Sequence, residues 1–315
     1  MKTLLFTLLL LLGAPALSDC QQGVLASHLC DRNGDLVADP PEDPRRWVDP
    51  RVLVFAYTPV EDPATYARVW DGFIRHLQQE TGRRVQFFPV QSNAAQIEAM
   101  RAGRLHIAGF NTGGTPLAVN CAGFVPFAMM AADDGSYGYQ MEIITRPDSG
   151  IELLEDLRGR RLAFTSPTSN SGYKAPLVLL EREAGLREGD FSSAFSGKHD
   201  NSILGVVNRD YDAAAIANEV LRRMLARNVV RADALTTIYR SETFPTTAYG
   251  VAHNLAPELA NRIRAAFFSF PWEGSELAAE FGPTVGTQFM PISYREHWAL
   301  VREIDAATGV SYACR

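Results

Sequence analysis

Short apolar runs alternate with helix-like stretches near the start of the chain, and this alternation restricts the fold more than any other feature. Residues 52–56 form an apolar run typical of a buried strand. A helix is predicted from Asp62-Pro63 to Gly82, because a capping residue and proline start it and apolar residues recur at helical spacing. Strand 85–90, helix 94–102 and strand 105–110 follow. The alternation predicts a parallel, doubly wound α/β sheet, which binds ligands at the carboxyl ends of its strands.

The alternation pauses and then resumes, which indicates two units. Residues 139–145 and 248–252 are apolar and extended, and we interpret them as two crossings between lobes. The elements predicted between and after them are strands 162–164, 194–195 and 213–216 and helices 174–184, 201–207, 257–268 and 294–307. We therefore predict two doubly wound lobes, formed by residues 49–141 with 247–315 and by residues 142–246. A two-strand hinge of this kind lets lobes close on a ligand.

The charge balance narrows the possible partners. The net charge of −6 disfavours nucleic acid or an anionic membrane surface. It does not exclude a small anion, because helix N-termini bind anions without net positive charge. The sequence lacks a Gly-x-Ser-x-Gly elbow, a His-Glu-x-x-His helix and a nucleotide-binding P-loop. We predict that the protein is not an enzyme, uses no cofactor and is a monomer.

The first 18 residues have the pattern of a secretory signal peptide. Lys2 precedes an apolar run at 4–12, and small residues lead to Ser18. The run is too short to span a membrane. Lipid attachment at Cys20 is the less favoured alternative, since Asp19 directly precedes it. The mature chain is therefore expected in the periplasm.

Residues 19–48 form a polar, proline-rich segment ahead of the folded pattern. They contain Asp31, Asn33 and Asp35 at alternate positions. Oxygen ligands with this spacing can hold calcium. A solvated acidic linker is the interpretation that we favour.

The four cysteines are compatible with disulfides in an oxidising compartment. Cys20, Cys30, Cys121 and Cys314 allow three pairings, and the sequence does not choose among them. Three of them lie near the chain ends. Cys121 lies within a domain and is the candidate to remain unpaired.

A hydroxyl-rich stretch at residues 165–173 separates a predicted strand from a predicted helix. It reads Thr-Ser-Pro-Thr-Ser-Asn-Ser-Gly-Tyr. If the helix begins near Ser171, its free N–H groups and the positive end of its dipole face this loop. A tetrahedral anion could then bind the hydroxyls of Ser169 and Ser171, although simple helix capping needs only one such residue. His199 lies at the next strand-to-helix loop and could face the same cleft or the solvent.

In these residues the chain resembles the periplasmic phosphate, phosphite and phosphonate-binding proteins of ABC importers. The resemblance covers about residues 52–300. Four segments carry it in order, at 97–108, 134–139, 166–172 and 196–200. It implies a bilobal periplasmic binding-protein fold of type II with the anion at the hinge, and an importer permease in the inner membrane as partner.

The resemblance also implies a set of ligand-binding residues. The family's Ser-Thr-Ser-Gly loop, which grips the phosphonate oxygens, corresponds here to Ser169, Asn170, Ser171 and Gly172. The cleft tyrosine, the anion-binding histidine and an acid that holds the amine of aminoethylphosphonate correspond to Tyr139, His199 and Glu219.

Two departures from the family pattern bear on the ligand. Asn93 replaces a second anion-contacting tyrosine, and Thr247 replaces a second amine-binding acid. Without that acid, a smaller oxyanion or one with an uncharged tail is favoured over aminoethylphosphonate.

Cys121 suggests an alternative function. The arsenite-binding sensors that form a branch of this family use one cleft cysteine to hold arsenic(III) and signal to a membrane histidine kinase. A thiolate suits such a soft centre. The other interpretation of Cys121 is a small buried cysteine that packs a helix.

Overall fold

The computed structural model describes residues 20–58, 60–66, 68–310 and 314. The predicted signal peptide, residues 1–18, lies outside the described residues. Within the described part, no helix combines the length and apolar character needed to cross a membrane.

Two separate β-sheets organise the chain, one of six strands and one of five. The strands of the described residues are β1 (Val52–Tyr57), β2 (Arg84–Phe87), β3 (Ile107–Phe110), β4 (Phe124–Ala131), β5 (Tyr139–Thr145), β6 (Arg161–Phe164), β7 (Ser192–Phe195), β8 (Ala213–Ala217), β9 (Thr236–Phe244), β10 (Ala248–Ala252) and β11 (Gln288–Pro291). The first sheet has the order β11-β4-β10-β3-β1-β2, and the second has the order β7-β6-β8-β5-β9.

The two sheets share one plan, and this plan confirms the predicted bilobal α/β fold. Strands β1, β2 and β3 are parallel in the first sheet, as are β6, β7 and β8 in the second. One antiparallel strand is inserted beside each parallel set: β10 between β3 and β4, and β5 between β8 and β9. Each inserted strand follows a strand of the other sheet in the sequence.

The inserted strands correct the predicted crossings. Residues 139–145 and 248–252 do not run between the lobes, because both are full sheet strands with regular partners. The links between the sheets are the shorter segments 132–138 and 245–247. Tyr139 therefore belongs to the second sheet, although the predicted boundary after residue 141 placed it in the first lobe.

Helices connect the strands. They are α1 (Asp71–Thr81), α2 (Asn93–Arg101), α3 (Thr115–Ala122), α4 (Ala175–Ala184), α5 (His199–Val207), α6 (Asn218–Ala226), α7 (Pro257–Phe268), α8 (Glu276–Phe281), α9 (Tyr294–His297) and α10 (Ala299–Ala307). Gly82 ends α1 in the left-handed conformation, at φ 65°. Ser92 caps α2, since its side chain accepts a hydrogen bond from the Ala95 amide at 3.2 Å.

Two predicted helices are interrupted. A 3-10 turn, Pro63–Tyr66, replaces the first turns of the helix predicted from Pro63, and α1 begins only at Asp71. Such tight turns are common at helix starts. The predicted helix 294–307 is divided at Trp298, whose indole is fully buried and donates a hydrogen bond to the Thr112 carbonyl at 2.9 Å.

The first lobe has a core built mainly from aromatic rings. Phe55, Trp70, Phe73 and Phe267 are at most 1% exposed. Phe73 meets Phe267 edge to face at a centroid distance of 4.7 Å, and Phe55 meets Trp70 in the same way at 4.9 Å. Edge-to-face pairs add stability beyond the burial of their area. This core fixes the strands whose ends form the first-lobe side of the cleft.

The N-terminal segment is a folded part of the structure, so the prediction of a solvated linker is wrong. Leu25 and Leu29 are buried, and the Ala26 amide donates to the Asn120 carbonyl at 2.8 Å. A disulfide between Cys20 and Cys30 closes the segment.

The Asp31-Asn33-Asp35 run uses its oxygens within its own loop. Asp31 accepts hydrogen bonds from the Gly34 and Leu36 amides at 2.7 and 2.9 Å. Asp35 accepts one from the Val37 amide at 3.0 Å. Among the described residues no group of three or more His, Cys, Asp or Glu side chains is arranged to hold a metal ion.

Cys121 is not the unpaired cysteine. It forms a disulfide with Cys314, and this bond ties the last turn of α3 to the C-terminal end of the chain. The sequence could not choose this pairing because the two cysteines lie 193 residues apart. A disulfide sulfur offers no thiolate, so the proposed role of Cys121 in binding arsenite is wrong.

Candidate functional site

The hydroxyl-rich loop between β6 and α4 ends in a π-turn, Asn170–Lys174. Ser169 precedes the turn in an extended conformation, and its Oγ accepts a hydrogen bond from the Gly172 amide at 3.0 Å. The N–H groups of Asn170 and Ser171 donate to no backbone carbonyl of the described residues. These free amides are the orphan donors of a helix start. The loop therefore presents amides and hydroxyls together, and Ser169, Asn170 and Ser171 are buried.

Tyr139, the first residue of β5, lies against this loop. Its hydroxyl oxygen accepts a hydrogen bond from the Asn170 side-chain amide at 3.2 Å. Burial raises the pKa of Tyr139, although hydrogen bonds with Ser171, Thr112 and Asn170 oppose the effect. The phenol is therefore neutral and has one proton to donate.

His199 is the first residue of α5, and its ring orientation is fixed by the neighbouring strand. Its Nδ1 accepts a hydrogen bond from the Ala217 backbone amide at 3.1 Å. Since Nδ1 is the acceptor, the proton of the neutral ring lies on Nε2. Burial lowers the pKa of His199 to about 4. At neutral pH the ring is thus an uncharged donor with a defined tautomer.

Glu219 lies in the first turn of α6, after β8. Its Oε2 atom is buried and has no hydrogen-bond partner among the described residues. Burial raises the pKa of Glu219, while Arg223 opposes this shift and Glu61 adds to it. The site therefore contains one carboxyl oxygen that still lacks a partner.

The first lobe supplies residues that the sequence analysis missed. Asn111, Thr112 and Gly113 follow β3, and Val60 follows β1. Thr112 is held in place because its hydroxyl donates to the Pro245 carbonyl at 2.7 Å. The sequence did contain a signal for these residues, because they follow predicted parallel strands and ligands bind at the carboxyl ends of such strands.

Six of the predicted residues surround one cavity between the lobes, whose volume is about 20 Å³. They are Tyr139, Ser169, Asn170, Ser171, His199 and Glu219. The other lining residues are Val60, Asn111, Thr112, Gly113, Ala217 and Thr247. No Lys or Arg is among the residues that line the cavity. Any anion held here would be bound by neutral donors.

Asn93 and Cys121 do not line this cavity. Asn93 lies in a neighbouring cavity of about 310 Å³, which shares Ser169 and His199 with the first. Its side-chain amide donates to the Thr168 hydroxyl at 2.8 Å and so joins α2 of the first lobe to the hydroxyl-rich loop of the second. Cys121 is buried at the far end of α3 in its disulfide.

Buried ion pairs also join the lobes beside the cavity. Glu61, which follows β1, lies 2.7 Å from Arg223 on α6 and 2.7 Å from Arg227, the residue that directly follows α6. Burial alone would raise the pKa of Glu61, but Arg223, Tyr66 and Arg227 lower it below its usual range. The carboxylate is thus ionised and pairs with both arginines, and Glu280 pairs with them as well.

Comparison with known proteins identifies the family. The family model described as "ABC transporter, phosphonate, periplasmic substrate-binding protein" matches residues 55–297. The chain belongs to this family. It is therefore the substrate-binding component of a transporter and not an enzyme.

Curated relatives and solved structures agree with this family assignment. The chain is 28% identical to the phosphate-import protein PhnD of Mycolicibacterium smegmatis over 73% of this chain and 75% of the relative. It is 25% identical to the phosphonates-binding periplasmic protein of Escherichia coli, over 77% and 75%. The fold matches PhnD1 of Prochlorococcus marinus in complex with methylphosphonate, with a TM-score of 0.73, 17% identity, and coverage of 83% and 99%.

Proposed function

We propose that the protein is exported to the periplasm and captures a compact phosphorus oxyanion, namely a phosphonate, phosphite or phosphate, for an ABC importer. The observation that carries the proposal is the cavity of neutral hydrogen-bond donors at helix starts. The loop at Ser169–Ser171 would bind the anion with free amides and hydroxyls, and Tyr139 and His199 would add one donor each. Hydrogen bonds to a charged partner are the stronger kind, about 1.5–3 kcal/mol each.

The size of the cavity supports a compact ligand. About 20 Å³ exceeds only slightly the roughly 10–15 Å³ that a single water needs. An aminoethyl tail would require further space, and Thr247 offers no charge to an amine. The names of the relatives, which include phosphate import and a methylphosphonate complex, fit the same ligand class.

The contacts between the lobes support capture by closure. Gly113 of the first lobe packs against the backbone of Thr168 and Asn170, so closely that a Cβ at Gly113 would come within 2.5 Å of the Asn170 nitrogen. Lys174, in the π-turn, donates to the Gly113 carbonyl at 3.1 Å. With the lobes in this arrangement, the ligand would contact hydrogen-bond donors of both lobes, and water would be excluded from the cavity.

Titration calorimetry of the mature protein tests the proposal. Phosphate, phosphite or methylphosphonate should bind, and aminoethylphosphonate should bind more weakly than methylphosphonate. Ser169→Ala or His199→Ala should weaken binding about tenfold or more, the loss expected for one charge-assisted bond. The matched control is Ser193→Ala, at an exposed position on β7. Affinities that do not change in the two site variants would refute the assignment of these residues.

A further inference from the structure

We propose that Glu219 makes the site selective for oxyanions that retain an acidic proton, and that this proton is shared between the Glu219 carboxyl and one ligand oxygen. The inference rests on the proposed function, because it requires that an oxyanion occupies the cavity. It extends that function by naming the form of the ligand that is bound.

The first argument is geometric. Glu219 lines the same small cavity as the Ser169–Ser171 loop and His199. The cavity is small, so an oxyanion held by that loop and by His199 would also lie close to the Glu219 carboxyl. The Oε2 atom of Glu219 has no partner among the described residues and is buried. A charged carboxylate with a buried oxygen that lacks a partner is costly, and a proton shared with the ligand would reduce this cost.

The second argument is electrostatic, and it considers every charged or titratable group that acts on Glu219. Two arginines of its own helix favour the charged carboxylate, but burial and Glu61 outweigh them. The nearby tyrosines carry no charge at neutral pH, since burial raises the pKa of each. The groups in question are Arg222, Arg223, Glu61, Tyr57, Tyr139 and Tyr249.

The proton balance follows from these surroundings. An ionised carboxylate against a fully deprotonated oxyanion would place two negative charges in contact without water, and one of them would regain a proton. A phosphate, phosphite or phosphonate monoanion brings that proton on its own P–OH group, which would donate to the Glu219 carboxylate. Sulfate carries no such proton near neutrality, so Glu219 itself would have to be protonated. The complex therefore contains one proton between the Glu219 carboxyl and the ligand. Sulfate and the dianions do not bring this proton, so it must be taken up from solution when they bind.

Calorimetry between pH 6 and pH 9 tests this inference with Glu219→Gln, which keeps the size of the side chain and always offers an N–H donor. For the unchanged protein, we expect the affinity for phosphate and methylphosphonate to fall about tenfold per pH unit above the second pKa of the ligand. In Glu219→Gln the affinity should vary less than threefold over the same range. Sulfate should bind at least tenfold more tightly to Glu219→Gln than to the unchanged protein at pH 8.

Two further measurements keep the result interpretable. Calorimetry of the unchanged protein at pH 8.5, in buffers of different ionisation enthalpy, should show uptake of close to one proton per phosphate bound. This measurement uses the unchanged protein, so it does not depend on whether Glu219→Gln folds. Glu242→Gln, at an exposed position on β9, is the matched control and should retain the pH dependence.

The possible failures are distinguishable. Phosphate affinity that is equal at pH 7 and pH 9, without proton uptake, would overturn the inference and leave the proposed function intact. The inference would also be overturned if aminoethylphosphonate bound much more tightly than methylphosphonate and lost this advantage in Glu219→Gln. Glu219 would then be a ligand of the ammonium group. If no phosphorus oxyanion bound at any pH, the proposed function itself would fail.

Discussion

Gly113→Ala is the sharpest test of whether contact between the lobes creates the binding site. A Cβ at this position would come within 2.5 Å of the Asn170 nitrogen and closer still to the Thr168 carbonyl oxygen, whereas real Cβ contacts essentially never fall below 3.0 Å. Both partners are backbone atoms of the second lobe and cannot rotate away. The two lobes must therefore separate locally by about 1 Å, because packed protein does not absorb such an overlap.

The expected loss of affinity follows from this displacement. A hydrogen bond of about 2.9 Å that lengthens by about 1 Å is no longer a hydrogen bond. If the ligand loses one charge-assisted bond to either lobe, the cost is about 1.5–3 kcal/mol, or roughly 10- to 150-fold in Kd. The ligand-free variant should melt within a few degrees of the unchanged protein, since Gly113 lies in a loop between β3 and α3.

The assay is calorimetric titration of phosphate and methylphosphonate, with small-angle scattering to compare the dimensions of the ligand-saturated proteins. Gly72→Ala on α1 is the matched control, because the Cβ there would meet only the flexible ends of the exposed Glu276 and Arg75 side chains. A Gly113→Ala protein with a Kd within twofold of the unchanged protein would refute the inference that tight contact of the lobes is needed for binding.

Three further predictions concern groups outside the cavity. Arg223→Met should weaken ligand binding and also lower the free energy of unfolding by about 3–5 kcal/mol, because it removes one partner of the buried pair with Glu61 that joins the lobes; calorimetry and urea titration check this. Cys121→Ala should lower the free energy of unfolding by about 2–5 kcal/mol in urea titrations, through loss of a disulfide that closes a long loop. Stability should also fall as pH decreases from about 6.5 to 4, because burial lowers the pKa of His199 and of His253 to about 4. In this range the unfolded chain binds protons at both histidines and the folded chain does not, which lowers the free energy of unfolding by about 2–4 kcal/mol for each histidine. His253→Gln should make the midpoint of urea unfolding vary less with pH.

The sequence predicted the parts of the fold that depend on local pattern. The alternation of apolar runs and helical spacing around 52–110 and 162–216 corresponds to β1–β3 and β6–β8. The inner strands β1, β3, β6 and β8 are largely buried, whereas the edge strands β2 and β7 are largely exposed. The hydroxyl-rich loop was recognisable because its composition exceeds what one helix cap needs. These features are readable without knowledge of any distant contact.

The parts that were not predicted depend on distant contacts. The strand status of 139–145 could not be read locally, because its partners β8 and β9 come from about 70 to 100 residues further along the chain. The Cys121–Cys314 bond joins residues 193 apart. The orientation of His199 depends on the Ala217 amide, which no sequence pattern records. Pattern therefore predicted the second-lobe side of the candidate cavity, whereas the first-lobe side could be inferred only from the rule that ligands bind at the carboxyl ends of parallel strands.

The charge distribution explains how an acidic protein can hold an anion and still discriminate among anions. The buried cations beside the site are paired, Arg223 with Glu61 and Lys174 with Asp305, so neither provides an unbalanced charge to attract an oxyanion of any shape. The donors at the cavity are amides, hydroxyls and one neutral imidazole, whose energies depend on direction and distance far more than an ion pair does. A site of this kind recognises where the oxygens and the remaining proton of the ligand lie. Its selectivity among oxyanions of equal charge should accordingly exceed its sensitivity to salt, since screening acts on net charges and the donors at the cavity carry none.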